Sequence, residues 1–219
     1  MNDQSFWHKK WENNELGFHL NDIHPLLKKY HSDIFLAEET VFVPLCGKSI
    51  DMNFLQSKGK KVIGVELSDI AASSFFQEQF PKSSLTSYLI DQSNFQEFSA
   101  QNIRILVGDY FSLTSEILDG AKQIYDRASL IALPPEMRKS YVEHLRILLP
   151  KASMLLITLD YEQEKMGGPP FSVDFDEIMT LFSFANVKQL HRKNIIDKEP
   201  KFKSKGLTKF NQTAYHISW

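Results

Sequence analysis

The run Val41-Phe42-Val43-Pro44-Leu45-Cys46-Gly47-Lys48-Ser49, answered by Val62-Ile63-Gly64-Val65-Glu66-Leu67, decides the fold. Val41 to Leu45 is short and almost wholly apolar, the pattern of a strand buried on both faces of a parallel sheet, and it stops at Cys46 and Gly47. Ser49 suits a helix cap, Ile50, Phe54 and Leu55 supply an apolar stripe, and Gly59 ends that helix before the second apolar run starts at Val62. Strand, helix and strand in that order predict a βαβ unit.

Moving outward, Ser68 or Asp69 can cap a further helix with Ile70, Phe75 and Phe76 turned inward, limited by Pro81. Ile103 to Val107 reads as a third strand with Gly108-Asp109 at its carboxyl end, and Gln123 to Asp126 as a fourth. Pro134-Pro135 and Pro150 bracket a helix with charge on one side, Glu136 to Leu149, and Met154 to Leu159 is a strongly apolar fifth strand. Beyond the breaker loop Met166 to Phe171 come a helix, Phe175 to Phe184, and two candidate strands, Val187 to Leu190 and Ala214 to Trp219. The expectation is the α/β class: a Rossmann-like, seven-stranded, mostly parallel sheet with helices on both faces and an antiparallel C-terminal strand pair. In the other direction, Ser5 to Tyr30 is aromatic and charged, with Trp7 and Trp11 on one helical face and Pro25 opening a second short helix. Residues 1–30 are therefore expected to form an N-terminal helical arm. With 219 residues, 42% of them apolar, and no internal repeat or linker, residues 1–219 are expected to make a single domain.

A balance of 25 basic and 27 acidic residues sets up no field for phosphate polymers, so nucleic acid is not an expected partner. Lys198, Lys201, Lys203, Lys205 and Lys209 are broken by aromatic and acidic neighbours and read as a solvated loop. The single cysteine, Cys46, excludes an intramolecular disulfide, and no Cys/His group has zinc spacing, so no metal is expected. No stretch is apolar enough for a membrane span or a signal segment, and a lone cysteine suits a reducing compartment, so a cytoplasmic protein is expected; a monomer acting on a small molecule is the expected form.

Ligands of such sheets bind at the carboxyl ends of the strands. Gly47 is the small residue that lets backbone approach a ligand there, and it equally suits a plain tight turn. The three-glycine dinucleotide fingerprint is absent, and Phe42 stands where a P-loop needs its first glycine. Glu66, at the end of the second strand, can accept hydrogen bonds from both hydroxyls of a ribose; a helix N-terminal charge beside Ser68 is the alternative. Asp109 sits where the adenine edge of a nucleoside would lie, or is a turn aspartate after Gly108.

The segments Phe6-Trp7-His8-Lys9-Lys10-Trp11, Gly17-Phe18-His19, Val43 to Met52, Gly64 to Ser68, Tyr125 to Pro134 and Gly168-Pro169-Pro170-Phe171 together resemble the thiopurine S-methyltransferase family. The resemblance implies a class I methyltransferase that uses S-adenosyl-L-methionine and releases S-adenosyl-L-homocysteine. It implies cofactor contacts at Trp11, Leu45, Glu66 and Arg127, with Trp7 as an aromatic wall. Arg127 is expected to hold an anionic acceptor or the cofactor carboxylate through its planar donor fork, and Phe18 and Phe171 to line an apolar acceptor pocket. Sulfonium cations are attracted to aromatic faces, in keeping with the two indoles. The implied acceptors are small, soft nucleophiles: aromatic or heterocyclic thiols such as thiopurines, and selenium or tellurium species. The alternative of another class is a non-catalytic module that binds S-adenosylmethionine or S-adenosylhomocysteine. Cys46 is not expected to act as a nucleophile.

Overall fold

The computed structural model describes residues 4–15, 17, 19–36, 39–82, 85–90 and 93–219, and the chain divides into two compact units, one ending at Tyr125 and the other spanning Asp126–Trp219.

In the first unit, β1 (Thr40–Val43) pairs in parallel with β2 (Lys61–Glu66), and β2 in parallel with β5 (Ile103–Val107). On its other side β1 pairs in parallel with β6 (Gln123–Arg127), through Val41 and Phe42 opposite Gln123 and Ile124. The chain thus leaves β1 in one direction and returns on its opposite flank, so the strand order reverses at β1. Ligands of open α/β sheets bind beside such a reversal, outside the carboxyl ends of the strands. Val41, Phe42, Val65, Ile103 and Ile105 are fully buried, as the continuous apolar runs require.

Two strands escape the sequence pattern. β3 (Thr86–Leu89) and β4 (Gln96–Ala100) form an antiparallel hairpin, and β4 pairs antiparallel with β5, giving nine strands among the described residues where seven were expected. β3 is exposed along its length, so it lacks the apolar alternation that marks a half-buried strand.

The helices start where local chemistry directs. Pro25 opens α2 (Pro25–Ile34) after His24, whose Nδ1 accepts from the Leu26 amide. Ser68 caps α4 (Asp69–Gln79) by accepting from the Ala71 amide. Two details differ from expectation. α3 (Asp51–Ser57) begins after Ile50, and Ser49 reaches only the Asp51 amide, at 3.4 Å. Ile70 is exposed, because Ala71, Ala72, Phe75 and Phe76 already fill the inward face of α4.

The second unit holds α5 (Pro135–Leu148), β7 (Ser153–Asp160), α6 (Phe175–Leu181), β8 (Asn186–Asn194) and β9 (Asn211–Ser218). β9 runs antiparallel between β7 and β8, as expected of the C-terminal pair. The lysine-rich segment is more than a loop: after a 3-10 turn at Ile196–Lys198 it forms α7 (Pro200–Lys203). Its lysines are exposed, while Ile196, Leu207 and Phe210 bury against Tyr161 and Met166.

Candidate active site

The turn after β1 is built by close approach. Leu45 and Gly47 both adopt left-handed backbone, at φ +45° and +53°. A leucine held there costs about 1–2 kcal/mol, which neighbouring structure must offset. The Cys46 amide donates to the Val65 carbonyl at 2.9 Å, extending the pairing past the strand end. Gly64 makes this possible, since a Cβ there would stand 2.6 Å from the Cys46 sulfur. Leu45 keeps part of its surface exposed, whereas a leucine serving only the core would be buried.

Glu66 locks the same turn. Its Oε2 accepts from the Gly47 amide at 2.8 Å and its Oε1 from the Ser68 amide at 2.9 Å, so one carboxylate ties β1's turn to the start of α4. Only 6% of the residue is exposed. Burial raises its carboxyl above the ordinary range; the Ser68, Gly47 and Leu67 amides and the charge of His8 work in the opposite direction. An ionised carboxylate offers about four acceptor sites, and the backbone amides do not fill them all. The remaining capacity can receive a ribose hydroxyl, so these residues fit a nucleoside.

Cys46 is 6% exposed, and burial together with the nearby Glu66 charge pushes its thiol well above the ordinary range. A thiol held protonated is a poor nucleophile.

Trp7 and Trp11 share α1 (Gln4–Glu12), which packs on α4, and Trp11 is buried while Trp7 keeps partial exposure. Phe6 meets Trp7 edge to face at 5.2 Å between ring centres. Phe18 lies outside the described residues. Asp109 follows β5 and accepts from the Phe111 amide at 3.0 Å, capping a 3-10 turn at Tyr110–Ser112. Sequence reasoning missed Asp51: buried, it accepts from the His24 amide and the Tyr125 hydroxyl, both at 2.8 Å, and so fixes the arm's second helix against β6. Its signal was position, a carboxylate in the first turn of α3 where a helix N-terminus favours negative charge.

In the second unit, Arg127 closes β6 with its side chain partly exposed, and Ala128 follows in left-handed backbone at φ +68°. The preceding residue, Asp126, is fully buried. It accepts from the Tyr141 hydroxyl at 2.7 Å and the Leu130 amide at 3.2 Å, holding the turn that presents Arg127. Desolvation raises Asp126 from 3.8 to about 6, against the pull of the Tyr141, Leu130 and Ser129 hydrogen bonds. Phe171 is partly exposed, and its amide donates to the Ile131 carbonyl at 2.7 Å, joining the Gly168-Pro169-Pro170 loop to the segment after Arg127. Among the described residues no group of three His, Cys, Asp or Glu side chains is placed to hold a metal ion, and no helix is long and apolar enough to cross a membrane.

The chain is similar to known proteins over nearly its whole length. The family model of thiopurine S-methyltransferase matches residues 2–218. A thiopurine S-methyltransferase of Pseudomonas fluorescens (strain Pf0-1) is 42% identical over 214 residues, covering 97% of each chain. One of Vibrio atlanticus is 45% identical over 219 residues, covering 99% of this chain and 98% of its own. Among solved structures, a SAM-dependent methyltransferase of Anabaena variabilis covers 100% of this chain at a TM-score of 0.70 and 18% identity, and 95% of its own length. Magnesium protoporphyrin IX methyltransferase of Synechocystis PCC 6803, solved with bound SAH, covers 98% of this chain and 99% of its own at a TM-score of 0.65 and 12% identity. At those identities the likeness is one of fold.

Proposed function

Since the chain belongs to the thiopurine S-methyltransferase family, and so is a methyltransferase, we propose that it transfers the methyl group of S-adenosylmethionine to small, soft nucleophiles, above all aromatic and heterocyclic thiols. The observation that carries this reading is Glu66, whose buried carboxylate at the end of β2 is oriented by the Gly47 and Ser68 amides and keeps acceptor capacity for a ribose hydroxyl. Membership in a family of enzymes decides against the non-catalytic binding module.

The bound cofactor supplies an electrophilic methyl group on a sulfonium that leaves as a neutral thioether. Such a transfer needs alignment more than acid catalysis. Glu66 receives the ribose hydroxyls, Leu45 packs on an apolar edge of the nucleoside, and Gly47 lets the turn approach it. Asp109 borders the base. Trp7 and Trp11 offer aromatic faces that attract a cation. Arg127 holds the anionic acceptor or the cofactor carboxylate with its planar fork. Phe171, with Phe18, forms the apolar wall of the acceptor site. A thiolate attacks well once deprotonated, and acidic aromatic thiols reach that state with little help. The same reading takes selenium and tellurium nucleophiles as further acceptors and the enzyme as a cytoplasmic monomer, one domain over residues 1–219 with residues 1–30 as the arm over the cofactor.

The test is transfer of a radiolabelled methyl group from S-adenosylmethionine to an aromatic thiol. Label should enter the thiol with the native chain and fall sharply with Arg127→Ala. Absence of transfer to any thiol, selenol or tellurium acceptor would remove the reading.

A further inference from the structure

The Gly168-Pro169-Pro170-Phe171 loop is built around one aromatic ring. Gly168 has φ +72°, and a Cβ placed on it would stand 2.4 Å from Cδ1 and 2.6 Å from Cε1 of Phe171. The ring therefore rests on bare backbone, and any side chain at 168 would displace it. The peptide bond just before the ring is held at both ends: the Tyr161 hydroxyl donates to the Pro170 carbonyl at 2.6 Å, and the Phe171 amide to the Ile131 carbonyl at 2.7 Å.

Over the ring stands Arg138, on α5, with its guanidinium carbon 5.8 Å from the ring centre. Arg138 is 1% exposed. Its Nε donates to the Leu133 carbonyl at 3.0 Å and its Nη1 to both carboxylate oxygens of Glu177 at 2.7 Å. Its Nη2 is buried and meets no oxygen. A buried donor without an acceptor is costly, and the face of an aromatic ring is the electron-rich surface that can take its place. Burying a cation is itself unfavourable, and an apolar side chain of similar volume would fill the same space at less cost. What a methionine would not do is bind the segment after Arg127, α6 and the Phe171 ring through one rigid planar group.

We propose that Arg138 is a positioning residue that acts through Phe171: with Gly168 it clamps the ring in one orientation and so sets the enzyme's preference for aromatic over alkyl acceptors. The inference rests on the reading above that Phe171 lines the acceptor site. An aromatic acceptor needs a flat wall held at a fixed tilt, whereas an alkyl thiol does not depend on ring stacking. Arg138 should therefore affect acceptor affinity rather than cofactor affinity.

The experiment compares Phe171→Leu, Arg138→Met, the double variant and Gly168→Ala. Each is assayed for KM and kcat with an aryl thiol and with an alkyl thiol, and for S-adenosylhomocysteine affinity by calorimetry. We expect each single change to raise the aryl-thiol KM about 10-fold, and Arg138→Met and Gly168→Ala to leave the alkyl-thiol KM and the cofactor affinity within about 2-fold. The double variant should be no worse than Phe171→Leu alone, because residues acting as a unit are not additive. Arg138→Lys, which keeps a cation but loses the fork, should fall between. If Phe171→Leu leaves the aryl-thiol KM unchanged, the acceptor-site reading fails. If it raises that KM while Arg138→Met does not, or the two effects multiply, the clamp is refuted. Should Arg138→Met not fold, Gly168→Ala decides, and an unchanged aryl-thiol KM there refutes the clamp.

Discussion

Asp126→Asn is the substitution whose effect on stability can be worked furthest from the structure. The native carboxyl is fully buried, and desolvation raises it from its ordinary 3.8 to about 6. Between those two values the folded state holds a proton that the unfolded state has released. Stability must then rise as the pH falls, the reverse of a salt-bridged carboxylate. The full difference is about 3 kcal/mol, and the portion realised between pH 7 and about pH 5 is about 1 kcal/mol. For a chain of this size that corresponds to about 2–4 °C in midpoint temperature. Other carboxylates titrate in the same interval, Glu66 in the same direction, so the observable is the difference between the native chain and the Asn variant. Thermal or denaturant melts of both, stepped from pH 7 to pH 5, should show the native chain gaining that amount relative to the variant. Parallel curves across the interval would show that burial does not raise the Asp126 carboxyl, and the account of a desolvated carboxylate at the Arg127 turn would be wrong.

Other perturbations test the cofactor and acceptor machinery. Glu66→Ala leaves two backbone amides without their acceptor and removes the diol contacts, so calorimetry with S-adenosylhomocysteine should show a loss of about 2–3 kcal/mol; equal affinity would take Glu66 out of the site. Arg127→Ala should lower turnover with thiol acceptors about 10- to 100-fold, and native rates with several thiols would show the role misassigned. Removing residues 1–14, which takes away α1 with the buried Trp11, should abolish tight cofactor binding while circular dichroism still reports the sheet; retained affinity would make the arm dispensable. Cys46→Ala should keep methyl transfer, and the native thiol should resist alkylation until the chain unfolds; rapid native-state alkylation would contradict its burial.

Apolar periodicity revealed the parallel strands because strands buried on both faces must be continuously apolar. β3 stayed hidden for the converse reason: Thr86-Ser87-Tyr88-Leu89 is exposed throughout, so its pairing with β4 is a backbone event that leaves little trace in side-chain pattern. Gly47 and Glu66 were legible from position alone, but the hydrogen bond between them was not, since it depends on the left-handed turn at Leu45. Arg138 was readable in hindsight: it occupies the same helical stripe as the buried Tyr141, Val142 and Leu145, three, four and seven positions on, where a charged residue should prompt a search for partners. Asp126 gave a weaker signal, a carboxylate inside an otherwise buried strand. The proposed acceptor side depends on long-range contacts, such as the Phe171 amide on the Ile131 carbonyl, that no local pattern encodes.

A crystal structure with S-adenosylhomocysteine bears most directly on the nucleoside site. The two ribose hydroxyls should lie within hydrogen-bond distance of the Glu66 oxygens, beside Leu45 and Gly47, with the Gly47 and Ser68 amides still bound to the same carboxylate. A nucleoside found elsewhere, with Glu66 touching nothing but those two amides, would contradict it.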